Sequence, residues 1–112
     1  MYICVLDEVP DFITPTLVAH AVLNHSFHTN NYIGDLEPLA WLFDEWINES
    51  YKKRVCRVNR KEFEKIKAIP GVCLTHENKT LNGEKSCATI VVRDGEKPNV
   101  LKFAKLWSPK NV

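Results

Sequence analysis

The 112-residue chain is 45% hydrophobic and 26% charged, which is ordinary for one globular domain with its own core. Its apolar runs are too short to cross a bilayer and its N-terminus lacks a basic leader, so we expect a cytoplasmic protein with no membrane partner. The net charge of +1 conceals a division: residues 1–50 hold eight acidic residues and no lysine or arginine, whereas all fifteen lysines and arginines lie in 51–112.

The first half of the chain predicts one strand and two helices. Residues 2–6 form a short apolar run that is typical of a buried central strand. The helix predicted over 15–28 starts at a Thr-Pro pair and is apolar nearly all round, which favours burial. The second helix, over 35–49, has a clear apolar stripe. Trp41 falls outside that stripe, so we expect it to be exposed.

The second half predicts three more strands, one short helix and an ambiguous last segment. Asn59 and Glu62 form a capping box, which is typical of a helix start. Strands are expected over 53–58, 72–75 and 87–93, and residues 99–107 fit either a helix or a strand. The order of these elements predicts one α/β domain over 1–112. We expect three layers, with a mixed sheet of about four strands and helices on both faces.

The cysteines are widely spaced and form no CxxC pair, which favours small buried thiols in a reducing compartment. They are Cys4, Cys56, Cys73 and Cys87. His25 and His28 lie one helical turn apart and offer two metal ligands, but the sequence gives them no third. We therefore expect no metal site and no cofactor.

His20 stands in the middle of an apolar run on the first predicted helix. A histidine in that position is either a core residue with one hydrogen bond or a reactive group that the fold holds in place. The apolar surroundings favour the core interpretation.

Three stretches have the order and spacing of a known family. Residues 18–21 read VAHA, residues 43–47 read FDEWI ahead of a strand that ends at Asn59, and residues 74–81 read LTHENKTL. Together they resemble the QxxHA helix, the second helix with its VKVN strand, and the DAGKTQ loop of type 2 peptidyl-tRNA hydrolases. The resemblance implies that family's α/β fold. It also implies an ester hydrolase acting on peptidyl-tRNA, with His20, His76 and Thr80 as candidate catalytic residues.

The departures from the family pattern fall on the chemistry. Ile13 stands where the family has a lysine, Leu17 where it has a glutamine, and His76 where it has the loop aspartate; Lys79 and Thr80 match. Ester cleavage needs an activated water and stabilisation of the charged intermediate. The sequence shows no cation beside the histidine of the first helix.

Two functions therefore remain open. The loss of the family's lysine, glutamine and loop aspartate favours a divergent, catalytically impaired relative that binds tRNA, another RNA or a protein. We expect RNA contacts from Lys52, Lys53, Arg54, Arg57 and Lys79. We expect protein contacts through the acidic half, at Trp41, Asp44 and Glu45. The alternative is an active hydrolase with a reorganised site, in which a basic residue of the second half supplies the charge.

Overall fold

The computed structural model describes residues 1–110 as a compact α/β domain; residues 111–112 of the predicted domain lie outside the described part. Its strands are Tyr2–Leu6 (β1), Arg54–Val58 (β2), Cys73–Thr75 (β3), Cys87–Ile90 (β4) and Lys105–Leu106 (β5). Its α-helices are Thr14–Asn30 (α1), Glu37–Glu45 (α2), Arg60–Lys67 (α3) and Asn99–Lys102 (α4).

The strands form one mixed sheet in the order β3-β4-β1-β2-β5. β1 pairs with β2 in parallel, and the other pairings are antiparallel. All five residues of β1 are buried, which confirms the predicted central strand. Within the described residues the sheet has five strands rather than about four, because the segment 99–107 divides into α4 and the short edge strand β5.

Helix α1 buries one stripe against the sheet and exposes the opposite side. Leu17, Ala21 and His25 face the core at helical spacing, whereas Leu23 and Phe27 are exposed. The predicted burial of this helix therefore holds for one side only. An all-apolar helix gives no periodic signal to identify its buried side, and the sheet covers only one side of α1.

The predicted helix over 35–49 is built from three pieces. A 3₁₀ turn at Gly34–Leu36 leads into α2, and a π-helical turn follows at Trp46–Ser50. Phe43 and Trp46 face the core, while Leu36 and Ile47, which belong to the same apolar stripe, are 48% and 43% exposed. Trp41 is 62% exposed, which confirms its predicted place outside the stripe.

The capping box at the start of α3 is confirmed. The Asn59 side chain accepts a hydrogen bond from the Glu62 amide at 2.8 Å, and the Glu62 carboxylate accepts one from the Asn59 amide at 2.9 Å. β4 ends at Ile90, so residues 91–93 of the predicted strand lie beyond the paired segment. All four cysteines are buried and free, as expected. Within residues 1–110, no helix combines the length and apolar character that crossing a membrane requires.

Folding brings part of the acidic first half against the basic second half. Asp11 pairs with Arg57 at 3.1 Å, Glu8 with Arg60 at 2.6 Å, and Glu45 with Arg93 at 2.7 Å. The charge division along the chain is therefore partly neutralised in space.

Candidate functional site

A polar cleft of about 290 Å³ lies between α1 and the loop that follows β3. We call it the histidine cleft; it is lined by His20, Asn24, Leu74, Thr75, His76, Glu77, Asn78 and Lys85. Helix α1 supplies the first two of these residues, and the β3–β4 hairpin supplies the rest. Two of the three predicted catalytic residues, His20 and His76, thus share one cleft.

Lys85 supplies a positive charge in this cleft. Its Nζ lies 3.1 Å from Nδ1 of His76. Because an ammonium group can only donate, Nδ1 accepts, and the neutral His76 ring carries its proton on Nε2. His76 can therefore donate a hydrogen bond to a ligand in the cleft, with the lysine charge behind it.

His20 faces the same cleft rather than the core. Its side chain is 56% exposed, and Nε2 lies 3.7 Å from a carboxylate oxygen of Glu77. The preferred interpretation of His20 as a buried core residue is wrong. The buried core histidine is instead His25. It is 3% exposed, and its Nδ1 forms a hydrogen bond with the Thr89 hydroxyl at 2.8 Å.

Asn24 fixes the wall of the cleft. Its side-chain amide donates to the Leu74 carbonyl at 3.3 Å and to the Thr75 hydroxyl at 3.0 Å. Both bonds tie α1 to the end of β3. They set the spacing between His20 on the helix and His76 on the loop.

Thr80, the third predicted catalytic residue, is 8% exposed and does not belong to the described lining of the cleft. Its amide donates to the Glu77 carbonyl at 3.1 Å, and its carbonyl accepts from the Gly83 amide at 3.0 Å. These bonds hold the loop in the shape that brings Glu77 towards His20. Thr80 thereby orders the loop through its backbone.

Sequence reasoning missed Glu77 and Lys85, although the hairpin contains a signal for both. Thr75 pairs with Cys87 in the antiparallel register, and the Ser86 amide donates to the Thr75 carbonyl at 2.9 Å. Extending that register beyond the strands brings the residues after Thr75 opposite those before Cys87. Lys85 is then expected close to His76 and Glu77.

A second cleft, of about 910 Å³, lies where β1 and β2 begin. We call it the basic cleft; its charged lining residues are Lys52, Lys53, Arg54, Arg93, Lys97, Glu45, Glu49 and Asp94. Three of the predicted RNA-binding residues therefore share one cleft. The histidine cleft lies at the opposite end of the sheet, where β1 and β3 finish.

The other two predicted RNA-binding residues lie elsewhere. Arg57 is largely buried; it pairs with Asp11 and packs over the Trp107 ring at 4.9 Å. Those contacts engage Nη2 and the face of its guanidinium and tie Arg57 to other parts of the chain. Lys79 is exposed on the loop that carries His76 and Glu77.

The predicted protein-binding residues lie on α2. Trp41 and Asp44 are exposed on one side of the helix, three positions apart. Glu45 is engaged by Arg93, so it is less available to a partner. Glu37, one helical turn before Trp41, is exposed and was missed by the sequence analysis.

No group of three His, Cys, Asp or Glu side chains that could hold a metal ion occurs in the described part of the chain. His25 is committed to Thr89 while His28 is exposed, so the two do not form a ligand pair. Comparison of the chain with protein-family models, with curated proteins and with solved structures found no match.

Proposed function

We propose that the protein is a divergent relative of the type 2 peptidyl-tRNA hydrolases and that the histidine cleft cleaves the ester bond of peptidyl-tRNA or a related RNA ester. The observation that carries this proposal is the position of Lys85, whose ammonium group lies 3.1 Å from the ring of His76. The sequence analysis disfavoured catalysis because no cation was evident near the histidines. Lys85 removes that objection.

The proposed chemistry assigns separate tasks to the two histidines. The Glu77 carboxylate lies 3.7 Å from Nε2 of His20, beyond hydrogen-bond length, but its charge favours the ring tautomer with hydrogen on Nε2 and leaves Nδ1 as the basic nitrogen. Nδ1 takes a proton from water as the water oxygen attacks the ester carbonyl. The Nε2–H of His76, backed by Lys85, stabilises the negative oxygen of the intermediate. When the ester C–O bond breaks, His20 returns the proton to the ribose oxygen and the peptide leaves as a carboxylic acid.

The proposed fold is the three-layer arrangement of that family. On one face of the sheet, His25 of α1 bonds to Thr89 of β4. Cys4 of β1 points to the other face, since side chains alternate along a strand and Ile3 is the residue that pairs with Thr89. The pKa of the Cys4 thiol is raised by its hydrogen bond with Cys56, by burial and, among weaker causes, by the Glu62 carboxylate of α3. Together with the contacts that α3 makes with β1 and β4, this supports helices on both faces.

A second candidate function is a catalytically impaired module that binds RNA through the basic cleft. It is favoured by the position of that cleft at the far end of the sheet from the histidines. It is also favoured by Ile13, which is half-buried and uncharged where the family has its lysine. Phosphate contacts from Lys52, Lys53 and Arg54 need no catalytic group.

Release of labelled peptide from peptidyl-tRNA by the purified protein tests the proposal. We expect turnover that falls about 10²–10⁴-fold in His20→Gln, because a positioned general base contributes that much. His28→Gln is the matched control, since His28 is an exposed histidine of the same helix outside the described lining of both clefts. Turnover that is absent, or equal in His20→Gln and wild type, would refute the hydrolase. RNA binding that weakens steeply with salt would then support the second candidate.

A further inference from the structure

We propose that the outer side of α2 binds a lysine- or arginine-rich segment of a partner protein. We define the Trp41 face by Glu37, Trp41 and Asp44. It lies on a different element from the histidine cleft, so the proposal does not depend on ester hydrolysis.

The three side chains fall on one side of the helix because they stand at positions i−4, i and i+3. The indole of Trp41 is 62% exposed and lies between the two carboxylate positions along the axis. Leu36 and Ile33, just before the helix, are also exposed. The face therefore offers an aromatic ring and two carboxylates.

The carboxylates of this face have no cation beside them in residues 1–110. Neither Glu37 nor Asp44 takes part in an ion pair there, whereas Glu45 on the edge of the same helix is paired with Arg93. Residues 1–50 contain no lysine or arginine, so α1 and α2 bring no positive charge of their own. The local charge is negative although the whole chain carries +1.

This chemistry fits a cationic segment better than other occupants. Tryptophan is the aromatic side chain that attracts a lysine or arginine cation most strongly, and flanking carboxylates add charge-assisted hydrogen bonds. A net charge of +1 gives a basic peptide no overall attraction to the protein, so its binding must be local.

The test uses a short fluorescein-labelled peptide of alternating arginine and leucine, titrated with the whole chain and followed by anisotropy. Its analogue carries citrulline in place of arginine. We expect the arginine peptide to bind and the citrulline peptide to bind about tenfold more weakly or not at all. Trp41→Ala should weaken binding of the arginine peptide about tenfold, and Glu37→Gln with Asp44→Asn should also reduce its salt dependence.

The controls are Phe27→Ala, an exposed aromatic residue on α1, and Glu96→Gln, an exposed acid of the second half. Both should bind like the wild type, and circular dichroism should show every variant folded. Equal affinity for both peptides, or unchanged affinity in Trp41→Ala, would overturn the proposal. Competition by spermidine as strong as that by the unlabelled arginine peptide would also overturn it. A third contrary result would be that the peptide fails to bind while the chain self-associates and the same substitutions abolish that self-association.

Discussion

The Nδ1 atom of His25 lies 2.8 Å from the hydroxyl oxygen of Thr89, and this bond joins α1 to strand β4, which is next to the central strand. The same ring stacks on Phe43 with centroids 5.6 Å apart, which ties α2 to α1. Burial, followed by the charges of His28 and of the N-terminus, lowers the pKa of His25 from 6.5 to about 4. The folded protein thus holds this histidine neutral.

Acid should weaken the fold through His25. Above pH 6.5 the histidine is neutral in both the folded and the unfolded chain; between 6.5 and about 4 only the unfolded chain gains a proton, and below about 4 both are charged. The free energy of unfolding should therefore fall by about 3 kcal/mol across this window. Denaturant titrations at several pH values measure it. His25→Gln should make the free energy of unfolding depend less on pH. If the dependence is the same in His25→Gln and wild type, other groups cause the loss of stability in acid.

Gly71→Ala should destabilise the protein more than Gly34→Ala. Both glycines have a left-handed φ, +90° and +62°, but only at Gly71 would a Cβ meet another side chain, at 2.8 Å from Leu39 Cδ2. Backbone strain at Gly34 should cost about 1 kcal/mol, and at Gly71 the end of the Leu39 side chain must also shift, which should bring the loss to about 2 kcal/mol. Thermal unfolding of the two variants and of Gly95→Ala, whose added Cβ meets no atom within 4 Å, measures the difference. Equal losses at 71 and 34 would contradict the packing of Leu39 on Gly71.

Asn59→Ala should remove the cap of α3 and lower the free energy of unfolding by about 1 kcal/mol. The reason is that the Glu62 amide loses its acceptor at 2.8 Å. Asn59→Asp keeps an acceptor at the same position and should stay close to the wild type in urea titrations. If Asn59→Asp lowers the free energy of unfolding as much as Asn59→Ala does, the side-chain cap is not the stabilising contact.

Arg54→Gln and Arg57→Gln should have different effects. Arg54 is exposed in the basic cleft, so its loss should leave stability unchanged and reduce the slope of log affinity for RNA against log salt by about one. Arg57 is tied to Asp11, so its loss should lower the melting temperature and leave the salt slope unchanged. Binding titrations at several salt concentrations, with thermal unfolding, separate the two roles. A shift of the salt slope in Arg57→Gln would place Arg57 among the phosphate contacts.

The sequence predicted the features that depend on local pattern. The apolar run of β1, the capping box at Asn59 and the exposure of Trp41 all follow from periodicity or spacing within a few residues. The last segment stayed open as a helix or a strand and contains both, because the two residues of β5 are too few to give a periodic signal.

The site depends on contacts that local pattern does not contain. His20 and His25 lie five positions apart on one helix, and only the position of the sheet decides that His25 is buried and His20 exposed. Lys85 reaches His76 because the register of a hairpin with a long loop brings them together. The absence of the family's lysine at position 13 therefore did not exclude a lysine from a distant part of the chain.

Single-turnover cleavage of peptidyl-tRNA by Lys85→Met tests the central claim most directly. If the ammonium group supports the charged intermediate, the rate should fall about 10²–10³-fold, and Lys85→Arg should restore part of it. Lys102→Met, an exposed lysine of α4, should cleave like the wild type. A wild-type rate in Lys85→Met would contradict the assignment of the histidine cleft as an ester-cleaving site.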